Sequence, residues 1–134
     1  MLKGTIDFDA PNDFRVLLVM TNTTADTEED VATVSAFSTL DEYDGANYAR
    51  QELSSDTVTK DSTNDRGEYD AADITFTSLG AGTRQAQAAV IIKHVTNDTD
   101  SIPIAYIDTG GFPFAGNGGN VTIQWNSEGI LQLG

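Results

Sequence analysis

Strict alternation of apolar and polar residues constrains this chain more than any other feature. In the segment 121–126, Val121, Ile123 and Trp125 point one way, and Thr122, Gln124 and Asn126 the other. That is the period of a strand with one buried face. Two further apolar segments precede it, Ala88-Ala89-Val90-Ile91-Ile92 and Ile102-Pro103-Ile104-Ala105-Tyr106-Ile107. Residues 126–129 end in Gly129, and the spacing predicts a short hairpin loop with residues 130–133 returning. The only Trp and the densest β-branched run lie within 87–133, so the core is expected there. Nothing in that stretch is catalytic; it reads as scaffold.

The front half follows the same grammar. Leu2, Gly4, Ile6 and Phe8 alternate with Lys3, Thr5, Asp7 and Asp9, which predicts a half-exposed strand. Pro11, Asn12 and Asp13 then supply turn chemistry. Residues 14–20 are apolar on both faces apart from Arg15, as in a central strand covered on both sides or one touching a partner chain. Residues 21–30 read as an acidic loop with one helical turn near Thr27. In 31–43, Val31, Val34 and Phe37 have helical spacing, but the β-branched and hydroxyl residues favour extended structure. Asp44-Gly45 marks a turn, 48–53 a short strand, and 54–73 a polar ribbon with its tip at 62–67. Residues 74–77 form another alternating strand. The loops at 79–82, 97–100 and 110–119 complete the chain.

Many short strands, turn signals every 8–12 residues and no long helical period predict an all-β fold. The expectation is one domain over 1–134, an antiparallel β-sandwich of jelly-roll-like form. Residues 1–13 are an N-terminal strand or arm that could engage a partner.

Composition narrows function more by exclusion. The 21 acidic and 7 basic residues give a net charge of −14, which argues against a nucleic-acid footprint. With no Cys there are no disulfides, thiolate metal sites or Cys nucleophiles. The first residues turn acidic before any apolar run, and the 14–20 run is too short to span a bilayer. A soluble chain made in the cytoplasm is expected, with no membrane partner.

His94 is the only His, and no Ser nearby is marked as an activated nucleophile. A structural or surface role is expected for it, and a His-based metal site is excluded by number. Oxygen-bearing side chains that could ligate Ca²⁺ cluster at Asp41, Glu42 and Asp44; at Asp65, Glu68, Asp70 and Asp73; and at Asn97, Asp98 and Asp100. None follows the EF-hand spacing, so chance clustering in an acidic chain is the simpler reading. The lone Trp, on a buried-type face, speaks against the aromatic cleft of a glycosidase. Asn22, Asn97 and Asn120 open glycosylation triplets, which Thr-rich composition explains. No catalytic, metal or cofactor site is expected. Phe112 and Phe114, flanking Pro113 in a Gly-rich loop, either tuck into the core or anchor a partner. Leu2, Ile6 and Phe8 of the terminal strand are the second candidate contact.

The order of elements resembles a family of small structural proteins of tailed bacteriophage virions, the head decoration or cement proteins. The likeness rests on the 14–20 strand with its polar Thr/Asp loop, the 41–48 segment containing Asp44-Gly45, and the strands 89–92 and 104–108. Its most specific part is the ending Val121-Thr122-Ile123-Gln124-Trp125-Asn126-Ser127-Glu128-Gly129-Ile130. The resemblance implies a jelly-roll-like fold, homodimers or homotrimers, and attachment to the major capsid protein on the outer capsid surface. It supplies no catalytic residues. The alternatives are a tail or baseplate component, and a carbohydrate- or Ca²⁺-binding adhesion module.

Overall fold

A computed structural model describes residues 6–8 and 14–134. Among them the chain forms strands β1 (Phe14–Met20), β2 (Gln51–Glu52), β3 (Thr57–Asp61), β4 (Arg66–Asp70) and β5 (Ile74–Phe76). After these come β6 (Ala86–Lys93), β7 (Ile102–Ile107), β8 (Val121–Ile123) and β9 (Leu131–Leu133), and the only helical piece is a 3-10 turn at Val34–Ala36. All pairings are antiparallel. One sheet has the order β2-β1-β6-β7, a second β3-β4-β9, and a third pairs β5 with β8. The architecture is all-β, antiparallel and sandwich-like, the class that the alternation predicts.

The central pair is β1 and β6, and its continuous apolar sequence has a direct cause: both faces are covered. Phe14, Val16, Leu18 and Met20 pack with Ala89 and Ile91 against Tyr69, Ile74 and Phe76 of the other two sheets. Leu17 and Val19 pack with Ala88, Val90 and Ile92 beneath Ala25, Val34, Phe37 and Leu40. The acidic loop after β1 therefore acts as the second lid of the sandwich. Each large side chain buried in this pair contributes about 1.5–3 kcal/mol of transfer free energy. Met20 faces Ala86 while Val19 faces Ala88, so Gln87 is an extra residue that shifts the register. This bulge returns Ala86 to the same side as Ala89 and Ile91.

Several expectations need correction. The turn at 126–129 forms, with Gly129 N donating to Asn126 O at 2.9 Å, but the flanking strands do not pair as a hairpin. β8 joins β5, where Ile123 faces Ile74, Val121 faces Phe76, and the Thr75 and Thr122 hydroxyls meet at 2.8 Å. β9 instead joins β4, and Ile130 N donates to Tyr69 O at 2.7 Å. Alternation fixed the buried face of β8 but carried no information about its neighbour. Within 87–133 the core expectation holds for β6, whose residues 88–92 are buried beside β1, whereas Val121, Ile123 and Trp125 are only half-buried. The strand expected over 48–53 is two residues long, Gln51–Glu52, and Tyr48 N instead closes the preceding turn on Gly45 O at 3.1 Å. The helical spacing in 31–43 yields one 3-10 turn, and the remainder is irregular, with a bridge from Glu42 to Val19.

Leu2 and the 10–13 turn lie outside the described residues. Residues 6–8 are not a strand, although their parity is as expected: Ile6 and Phe8 are half-buried and Asp7 is exposed. Phe8 stacks on Phe14 with ring centroids 5.2 Å apart and contacts Tyr69 at the same distance.

Candidate functional site

The loop carrying Phe112 and Phe114 is held by partners far away in sequence. Phe114 exchanges two backbone hydrogen bonds with Ala86, at 2.8 and 3.0 Å. Gly118 N donates to Leu79 O at 2.8 Å, and Leu79 N donates to Gly119 O at 2.9 Å. Between these anchors Gly116 N donates to the Tyr43 hydroxyl at 3.1 Å. That hydroxyl also accepts from Gly82 N and donates to Gly80 O, each at 2.9 Å. The approach is so close that a Cβ on Gly116 would sit 2.2 Å from Gly80 O, and one on Gly45 2.3 Å from the same atom. Glycine is required at both places by contact, not by a positive φ. Three segments that read in the sequence as separate breaks thus converge on one phenol.

Phe112 and Phe114 neither vanish into the core nor project freely. Both are half-buried, pack against the main core cluster, and lie ring to ring with centroids 5.3 Å apart. Their open side faces a cleft of about 720 Å³ between residues 107–117 and residues 120–126. Among the described residues fifteen line it, and none of these is charged. Three of its asparagines have their side-chain oxygen occupied: Asn117 by Gly119 N at 2.9 Å, Asn120 by Ser78 N at 3.0 Å, and Asn126 by Glu128 N at 3.0 Å. Each carboxamide is therefore held with its NH₂ donor as the group left to offer. The Trp125 indole N–H is already used on Ala72 O at 3.0 Å.

A smaller hollow of about 270 Å³ lies over β7 on the other face, with Val90, Phe37 and Tyr106 as floor and Asp26, Glu28 and Glu29 at its rim. Glu28 accepts from the Thr24 hydroxyl at 2.6 Å, from Ser38 N at 2.7 Å, and from the Ser38 hydroxyl. The Ser38 and Thr24 bonds hold its carboxyl below the usual range. Its role is to pin the lid loop.

Most of the other grouped carboxylates are likewise committed to structure, whereas Asp70 Oδ1 is buried without a hydrogen-bond partner among the described residues. Arg50 forms two-pronged pairs with Glu42, at 2.8 and 2.7 Å, and with Asp98, at 2.5 and 2.9 Å. Tyr48 donates to the same Glu42 at 2.8 Å and accepts from Leu18 N at 3.0 Å. Burial first, and the Glu42 charge second, push the Tyr48 phenol well above its ordinary value. Hydrogen bonds to Glu42 and then Asp98 raise Arg50, and the Arg50 bond lowers Asp98. Asp41 pairs with Arg84, Asp44 accepts from Thr83 N at 2.7 Å, and Asp100 accepts from Thr96 N and Asn97 N at 2.9 and 2.8 Å. Glu68 joins Arg66 at 2.8 Å. Among the described residues no three acidic or His side chains are grouped to share a metal ion.

His94 is half-buried, and its Nδ1 lies 3.3 Å from the Ser101 hydroxyl. This pair is not a nucleophile and base: Ser101 is fully buried, and its proton goes to Asn97 O at 2.7 Å. The hydroxyl closes the 97–101 turn that presents Asp98 to Arg50. Among the described residues no helix is long and apolar enough to cross a membrane.

No family model matches the chain, and neither a curated protein nor a solved structure was found to match it.

Proposed function

We propose that this chain is a non-enzymatic virion structural protein, a head decoration or cement protein that binds and stabilises the outer surface of a tailed-phage capsid. The observation that carries the reading is the presentation of Phe112 and Phe114. They are half-buried, ring against ring, on a loop bonded at Phe114, Gly116, Gly118 and Gly119, and they open onto an uncharged cleft. Such an anchor loses little further freedom on docking, and repetition over a lattice lets modest contacts hold firmly. The resemblance in the order of elements supports the same reading. So does charge: of seven basic residues, Arg50, Arg66 and Arg84 are engaged in internal ion pairs, leaving a strongly acidic exterior. Such a surface suits the outside of a shell better than its DNA-filled interior. The partners on this reading are the major capsid protein and further copies of this chain; no nucleic acid, membrane or cofactor is involved.

The test is binding to purified shells by the double variant Phe112→Ala with Phe114→Ala. Both backbone bonds to Ala86 survive this change. The expected result is on the order of thirty-fold weaker retention. Undiminished retention by a folded double variant overturns the assignment of this loop as the anchor.

A further inference from the structure

We infer that the uncharged cleft takes an extended, uncharged segment of a partner polypeptide, added as a strand along the free edge of β8. Among the described residues β8 has one neighbour in its sheet, β5, so every second backbone N–H and C=O of β8 points away from that neighbour. All six residues from Val121 to Asn126 line the cleft, although alternate ones are half-buried and exposed. Side chains of both parities can border one space only if the strand presents its edge to it. Along β8 itself, Val121–Ile123, the wall is therefore backbone, over about 10 Å at strand spacing.

Protein sheets normally guard such an edge with charge, proline or a bulge. Here β8 and the three residues after it read Val121-Thr122-Ile123-Gln124-Trp125-Asn126, with no charge and no proline, in a chain carrying 21 acidic and 7 basic residues. The fifteen uncharged lining residues extend that neutrality to the opposite wall. A charged occupant would be desolvated there without a partner, so the fitting segment is neutral. Phe112 and Phe114 offer its alternate side chains an apolar seat, and the held amides of Asn117, Asn120 and Asn126 add donors for its carbonyls. A neutral sugar fits less well. The two Phe rings lean on each other at 38° rather than forming a flat platform, and the Trp125 N–H is already bonded within the chain.

The inference stands independently of the virion reading, since it concerns the isolated chain. The test is NMR titration of the full chain with three probes. They are a blocked hexapeptide of alternating threonine and valine, the same peptide N-methylated at alternate amides, and a linear glucan hexasaccharide. The expected result is saturable shifts at the amides of 121–126 with the plain peptide, and roughly tenfold weaker binding after N-methylation. Gln124→Glu, an isosteric change at an exposed site, should weaken the plain peptide by a similar factor because it places a charge in the slot. Shifts produced by the hexasaccharide alone, equal binding of both peptides, or no shifts at 121–126 overturn the inference.

Discussion

The hydroxyl of Tyr43 accepts a hydrogen bond from Gly116 N at 3.1 Å, across 73 residues of sequence. With its bonds to Gly80 and Gly82, that one oxygen joins the 43–46 turn, the 79–82 turn and the aromatic loop. Tyr43 is only 2% exposed, so water cannot replace what the phenol provides. Tyr43→Phe should therefore cost about 3 kcal/mol, since it strands two N–H groups and a carbonyl. Urea unfolding measures this, and faster amide exchange at Gly116 should accompany it.

Gly116→Ala is a sharper probe of the same junction. The added methyl would meet backbone, not a movable side chain, at 2.2 Å. Destabilisation of about 3 kcal/mol is expected. Gly110→Ala meets nothing within 4 Å but strains a φ of +74°, so about 1 kcal/mol is expected there. Denaturant midpoints of the two variants should fall in that order.

Burial of the central pair on both faces predicts equal sensitivity on opposite sides of β6. Ile91→Ala opens a cavity toward the sandwich and Ile92→Ala one toward the lid loop, each from a fully buried site. Both should cost about 2–5 kcal/mol by chemical denaturation. A tolerated Ile92→Ala would mean that the lid does not seal the second face.

The Arg50 clamp sets a pH dependence. The Arg50 hydrogen bond holds Asp98 below its ordinary value, so the folded state binds this proton less readily than the unfolded chain. The resulting stability is fully present above the unfolded carboxyl value of about 4 and is lost as pH falls through the lower folded value. Asp98 is 38% exposed, so screening limits the effect to less than about 1 kcal/mol. Asp98→Asn should lower stability at pH 7 and flatten the acid limb of the stability curve. At the alkaline end the sign is opposite. Tyr48 is raised, so its contribution is intact below about pH 10 and is lost as pH rises from there through the folded value. Tyr48→Phe should flatten that limb.

Much of the scaffold was legible because continuous apolar runs and alternation report burial directly. The two-faced strand at 14–20, the ribbon at 54–73 and the strand at 74–76 all stand where the pattern puts them. Pairing was not legible: the turn at 126–129 looks like a hairpin, while the face-matching of β8 with β5 is decided by contacts about 50 residues apart. The junction at Tyr43 was hidden for a related reason. Its parts are glycines, which read as breaks, and an aromatic whose hydroxyl partners lie 37 to 73 residues away. Phe112 and Phe114 could be singled out by composition, but the neutrality of the cleft beside them emerges only when 107–117 meets 120–126. Phe8 matters for experiment. It packs on Phe14 and Tyr69, so truncation through residue 9 would remove a core contact.

Quantitative mass spectrometry of density-purified particles from the source, comparing this chain with the major shell protein, tests the decoration reading most directly. A ratio near one, or a simple fraction of it, is expected for a protein bound across the lattice. A handful of copies per particle would place the chain in the tail, and its absence from particles would contradict a virion role altogether.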